Sequence, residues 1–123
     1  MQVHALEAAL SDVLGSPGVV GAALVDGVTG LTYRACGDHP LLGAGSGPEL
    51  AELAALIEER LCAAGAGDGL EGIVVTSTRH HEVTRVLHGH GDPLLLVTVL
   101  DRERTNLALA VHQSAVQARD LLA

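Results

Sequence analysis

The chain has no phenylalanine, no tryptophan, no lysine and a single tyrosine, Tyr33. Without large rings, a core must come from many small aliphatic contacts. The 48% hydrophobic content, mostly Ala, Val and Leu, is consistent with that. All seven basic residues are arginines, and Asn and Ile are scarce too. Lys, Phe, Tyr, Asn and Ile are the residues with AT-rich codons, so the pattern is that of a GC-rich, bacterial-type genome. The arginines are scattered, with only Arg102 and Arg104 close together, and the net charge is −8. An acidic domain without a basic patch repels phosphate backbones, which argues against nucleic acid as a partner. There are two isolated cysteines, Cys36 and Cys62, and no C-x-x-C spacing. MQVHALEAAL has no positive n-region, so no signal peptide is expected. The longest apolar run, Leu94–Leu100, is far too short to span a bilayer. These absences predict a cytoplasmic protein with reduced thiols and no membrane segment.

At 123 residues the chain suits one domain, burying about two-thirds of its unfolded surface. Residues 3–14 carry Val3, Leu6, Leu10, Val13 and Leu14 at helical spacing, and Gly15-Ser16-Pro17-Gly18 stops that helix. Val19–Val25 is an uninterrupted apolar run, as a strand buried on both faces should be. Asp26-Gly27 and Thr29-Gly30 provide turn chemistry, and Leu31–Cys36 then alternates as a second strand. Gly37–Gly47 reads as a loose glycine-rich connection. A second helix opens at Gly47-Pro48 and runs to about Ala64. Ile73–Thr78 and Glu82–His88 read as strands joined around Arg79-His80-His81. Leu94–Leu100 is the most apolar strand and belongs at or near the centre of a sheet. Thr105 or Asn106 caps the final helix, whose stripe is Leu107, Val111, Ser114, Ala118 and Leu121.

The resulting order is α-β-β-α-β-β-β-α. Three short hairpin connections call for one five-stranded antiparallel sheet. The second helix crosses one face and the two terminal helices cover the other. The second helix has one apolar stripe at Leu50, Leu53, Ala54, Ile57 and Leu61. Ala51, Ala55, Leu56, Cys62 and Ala63 widen it beyond what one sheet face requires, which points to a second partner for that helix.

Several residue groups invite a chemical reading. His88, His90 and Asp92 form H-x-H-x-D, a ligand set suited to zinc or nickel. The intervening glycines and Pro93 predict a tight, solvated turn, so no metal is expected there. His80-His81 lies on the order of 20 Å away along the strand, too far to complete the site. Cys36, Asp38 and His39 could approach one another, but no oriented base or oxyanion site is readable, and no catalytic residue is expected. Cys62 reads as a packing residue. Gly43–Gly47 precedes a helix, yet it lacks the Lys-Ser/Thr of a phosphate loop and faces Glu49 and Glu52. No cofactor is expected.

LEAALSDVL, PGVVGAALVDGVTG, ELAELAALIEERL and LLLVTVLDRERTNLALA, together spanning about Val3 to Leu122, resemble the roadblock / dynein light chain family. The likeness is to its bacterial members that accompany small Ras-like GTPases. It implies a single profilin-like domain over residues 1–123, pairing with itself or with a related roadblock-like chain. It implies a non-enzymatic scaffold or regulator of a small Ras-like GTPase. Pairing in the family uses the second helix and the following strand. That selects Leu50, Leu53, Ala55, Leu56, Glu58, Glu59, Cys62, Ile73 and Val75 as interface residues. A different class of function, a small-molecule-binding or sensory module, would use the face under Gly37–Gly47, with His39 and Tyr33 as polar contacts.

Overall fold

The computed structural model describes residues 3–43, 45–66, 69–89 and 91–122. Helix α1 (Val3–Leu14) leads into strands β1 (Val19–Asp26) and β2 (Thr32–Gly37), followed by a one-turn 3-10 helix at Pro40–Leu42. Helix α2 (Ser46–Ala63) precedes β3 (Gly72–Thr76), β4 (His80–Leu87) and β5 (Leu94–Asp101). A second 3-10 turn, Arg102–Arg104, joins β5 to α3 (Leu107–Leu122). The order α-β-β-α-β-β-β-α is the expected one, and every strand pair is antiparallel.

The sheet runs β2-β1-β5-β4-β3, so the most apolar strand is central. On one face Leu10, Val13, Ala22, Leu24, Leu87, Leu96 and Ala118 pack α1 and α3 against the sheet. Val83, Leu100 and Ala110 extend that layer along α3. On the other face Ala23, Val25, Leu95 and Val97 meet Leu50 and Ala54 of α2. No core contact involves a large aromatic ring; Leu, Val and Ala fill both layers, so each methyl group lost would leave an unfilled void. The side chains of Val3 and Leu6, expected in the α1 stripe, lie outside the described residues.

Local chemistry sets the joints. Asp26 closes the β1–β2 turn: its Oδ1 accepts from the backbone N–H groups of Val28 (2.8 Å) and Thr29 (2.9 Å), and its Oδ2 from the Tyr33 hydroxyl (3.0 Å). Gly30 has φ of +78°, and an added Cβ would collide with backbone atoms of Pro48, so this turn sits directly on the start of α2. Asn106 rather than Thr105 caps α3 by a side-chain bond, with its Oδ1 accepting from Leu109 N–H at 3.1 Å. Arg85 ties α3 to β4 by donating from Nη2 to the Val111 carbonyl at 3.1 Å.

The Gly37–Gly47 connection differs from its sequence reading. The His39 Nδ1 accepts from Leu41 N–H at 3.1 Å and caps the Pro40–Leu42 turn. Leu42 packs into the α2-side core, and the His39 ring rests on His80 of β4. Glycine content predicted looseness; one capped turn and one apolar anchor make the segment a strap across the sheet. The histidines at 80 and 81 also fall within β4 rather than in its preceding turn.

Candidate functional site

The helix expected to carry a partner surface is α2. Consecutive residues advance by about 100° around a helix axis, which divides its side chains into three sectors. Leu50, Ala51 and Ala54 are buried, with Ile57 and Leu61 packed beside them on the sheet. Leu50, expected at an interface, is thus a core residue here: it fills the space over Ala23 and Val25 and is 8% exposed. Leu53 and Leu56 occupy one flank and remain exposed, Leu56 to 57%. Ala55, Glu58 and Cys62 occupy the opposite flank, where Ala55 and Cys62 are exposed and Glu58 is half-buried. Glu59 projects outward and is exposed.

Strand β3 is the second part of this surface. It pairs only with β4 among the described strands, leaving its other edge open. Its register sets Ile73 opposite Thr84 and Val75 opposite Glu82. Strand alternation therefore places Ile73 and Val75 on the α2 side, with Val74 on the α3 side. Ile73 is half-buried against the α2-side core, whereas Val74 and Val75 are each 44% exposed. GIVVT contains no charge and no proline, the devices that protect natural sheet edges. The opposite edge, β2, carries Arg34 in an ion pair with Glu7 of α1 at 2.7 Å. The two edges of one sheet are thus chemically different, and β3 is the unguarded one.

Charge surrounds this apolar region. Glu49, Glu52 and Glu59 are exposed on α2, with Arg60 the basic residue of its last turn. Glu58 Oε1 accepts from Leu70 N–H at 3.0 Å, which anchors the chain between α2 and β3. Glu82, half-buried beside Val75 in the register, has its carboxyl held above the usual carboxylate range by burial.

The residues considered for chemistry are separated. The Cys36 thiol donates weakly to the Leu10 carbonyl at 3.8 Å, while His39 Nδ1 is occupied by Leu41. His88 Nε2 lies 3.2 Å from the Leu70 carbonyl, Asp92 is exposed, and His90 lies outside the described residues. Among the described residues no three His, Cys, Asp or Glu side chains are gathered to hold a metal ion. Tyr33 is engaged by Asp26 at one end of β2 and His39 lies beyond the other end, roughly 20 Å along the chain. The cavity beneath Leu41 and Leu42 has a volume of about 10 Å³, room for one water, and neither His39 nor Tyr33 lines it. Sequence reasoning missed Glu82 and the His39–His80 contact, whose partners meet only through the fold.

No protein-family model matches the sequence, and no curated protein matches it either. Solved structures do. MglB from Myxococcus xanthus superposes with a TM-score of 0.83 at 13% identity, over 97% of this chain and 86% of that one. The roadblock/LC7 domain from Streptomyces avermitilis gives 0.70 at 19% identity, over 92% and 91%. This chain has the roadblock/LC7 fold. An MglB structure described as having a tetrameric arrangement gives 0.74 at 21% identity, over 97% of this chain and 85% of that one. In the roadblock fold of this chain, α2 shares its face of the sheet with the Pro40–Leu42 turn, Ile73 packs against the same core, and β3 is an end strand. No helix among the described residues is long and apolar enough to cross a membrane.

Proposed function

We propose that this chain acts as a non-enzymatic, dimeric scaffold or regulator of a small Ras-like GTPase, as a single roadblock-like domain over residues 1–123. The observations that carry the reading are the unguarded β3 edge with its exposed Val75 and the exposed Leu53 and Leu56 of α2, on a roadblock fold similar to MglB. Two copies, or this chain and a related roadblock-like chain, would join β3 edges into one sheet across a two-fold axis and bring their α2 helices together. Ile73 and Val75 would enter that seam from the strand, with Leu53 and Leu56 from the helix. Ala55, Glu58, Glu59 and Cys62 would border it.

Pairing would present the acidic residues Glu49, Glu52 and Glu59 as a rim. That rim would steer a basic patch on the GTPase and govern the association rate more than the final affinity. The chemistry of hydrolysis would remain with the GTPase, whose switch loops a docked scaffold can order. The fold, the exposed surface and the resemblance read from the sequence support this reading together. Affinity capture from source lysate, with and without added GTP, should recover a Ras-like GTPase in at least one condition. Recovery of none in either condition would count against it.

A further inference from the structure

A pocket of about 320 Å³ opens beneath the flank of α2 that carries Ala55 and Glu58, away from Leu53 and Leu56. Ala54, Val86, Pro93 and Leu95 give it apolar walls. The Gly27 N–H donates to the Pro93 carbonyl at 2.8 Å, locking the β1–β2 turn to the β4–β5 turn and fixing one wall in place. Its volume is at the small end of ligand sites, which begin at about 300 Å³.

Two polar side chains reach this pocket, and both are oriented by one residue. Leu70 N–H donates to Glu58 Oε1 at 3.0 Å, and His88 Nε2 lies 3.2 Å from the Leu70 carbonyl oxygen. A carbonyl can only accept, so Nε2 carries the hydrogen, and in that tautomer of the uncharged ring Nδ1 is an acceptor. Glu58 retains its second oxygen, Oε2. Among the described residues, the lining side chains therefore offer acceptors and negative charge, and no lysine or arginine.

We propose that this pocket binds a small organic cation: a primary ammonium on a short hydrocarbon body. The ammonium donates to Glu58 and His88, while the hydrocarbon displaces water from Ala54, Val86 and Leu95. An anion meets the Glu58 carboxylate and is repelled. A neutral isostere fills the walls but gains no charge-assisted bond. The proposal does not depend on the GTPase reading: the pocket lies on the flank of α2 away from Leu53 and Leu56, although Ala55 and Glu58 also border the proposed seam.

The test is a titration of the full ¹⁵N-labelled chain with n-butylammonium, n-butyrate or butan-1-ol, read by amide shifts at Gly27, Leu70 and Leu95. Saturable shifts with n-butylammonium are expected, with both controls weaker by on the order of tenfold. Glu58→Gln keeps an acceptor for Leu70 N–H but loses the charge, so it should weaken n-butylammonium by a similar factor. Ala55→Leu, at an exposed position, narrows the pocket entrance and should abolish the shifts without altering the circular dichroism. Equal binding of the three probes, undiminished binding to Glu58→Gln, or no saturable shift up to about 50 mM, a range that exposes even millimolar affinities, would overturn it.

Discussion

The imidazole rings of His39 and His80 meet edge to face, with centroids 4.4 Å apart and planes inclined at 67°. One ring belongs to the strap after β2 and the other to the first residue of β4, so the contact spans the sheet. The same His39 accepts from Leu41 N–H through Nδ1, which an imidazolium cannot do.

This relationship predicts an acid-sensitive strap. Burial, followed by the neighbouring His80, lowers the His39 pKa, and Asp38 opposes the shift only in part. A group whose folded pKa lies below its unfolded value of 6.5 binds fewer protons when folded. It therefore contributes stability above pH 6.5 that is lost as pH falls through the folded value. Thermal melts should show the wild type losing more stability below pH 6.5 than His39→Asn, whose side chain can cap without titrating.

Asp26 predicts a second loss at lower pH. The N–H groups of Thr29 and then Val28 favour its carboxylate, the Tyr33 hydroxyl adds to them, and together they outweigh burial, so its pKa falls below 3.8. Stability from this group is present above pH 3.8 and disappears as pH drops through the folded value. Asp26→Asn should lower Tm by several degrees at pH 7. The gap to wild type should close under strongly acidic conditions.

Glu82 has the opposite sign. Burial raises its pKa above 4.5, so its contribution is favourable in acid and is lost as pH rises through the folded value. Glu82→Gln should melt higher than wild type at pH 7, and the difference should shrink toward pH 4.

Gly30 tests how the hairpin sets the helix. Its φ of +78° and the backbone of Pro48 leave no space for a methyl group. Gly30→Ala should cost about 2–4 kcal/mol in denaturant unfolding, from left-handed backbone strain together with overpacking. Gly65→Ala has similar backbone strain with nothing among the described residues within contact distance of the new methyl, so it should cost less.

The architecture was readable because its signals are local. The apolar run of Val19–Val25, the Asp26-Gly27 turn and the apolar Leu94–Leu100 lie in short windows and map onto β1, its turn and central β5. Glycine count misled at residues 37–47, because His80 and the α2-side core that receives Leu42 are remote in sequence. Leu50, named with the interface set, lies in the α2-side core of the single chain. A residue spacing of three places it beside Leu53, but the fold points it into the core. Helical spacing alone could have separated Leu53 and Leu56 from Ala55, Glu58 and Cys62. The Glu58–Leu70–His88 arrangement could not have been found that way, since its members come from a helix, a loop and a strand end.

The most direct test of the central claim is light scattering of wild type and Leu56→Asp at micromolar concentration. Leu56 is 57% exposed, so Leu56→Asp should leave the circular dichroism unchanged. The account predicts a wild-type dimer and a Leu56→Asp monomer. A wild-type protein that is cleanly monomeric would contradict it.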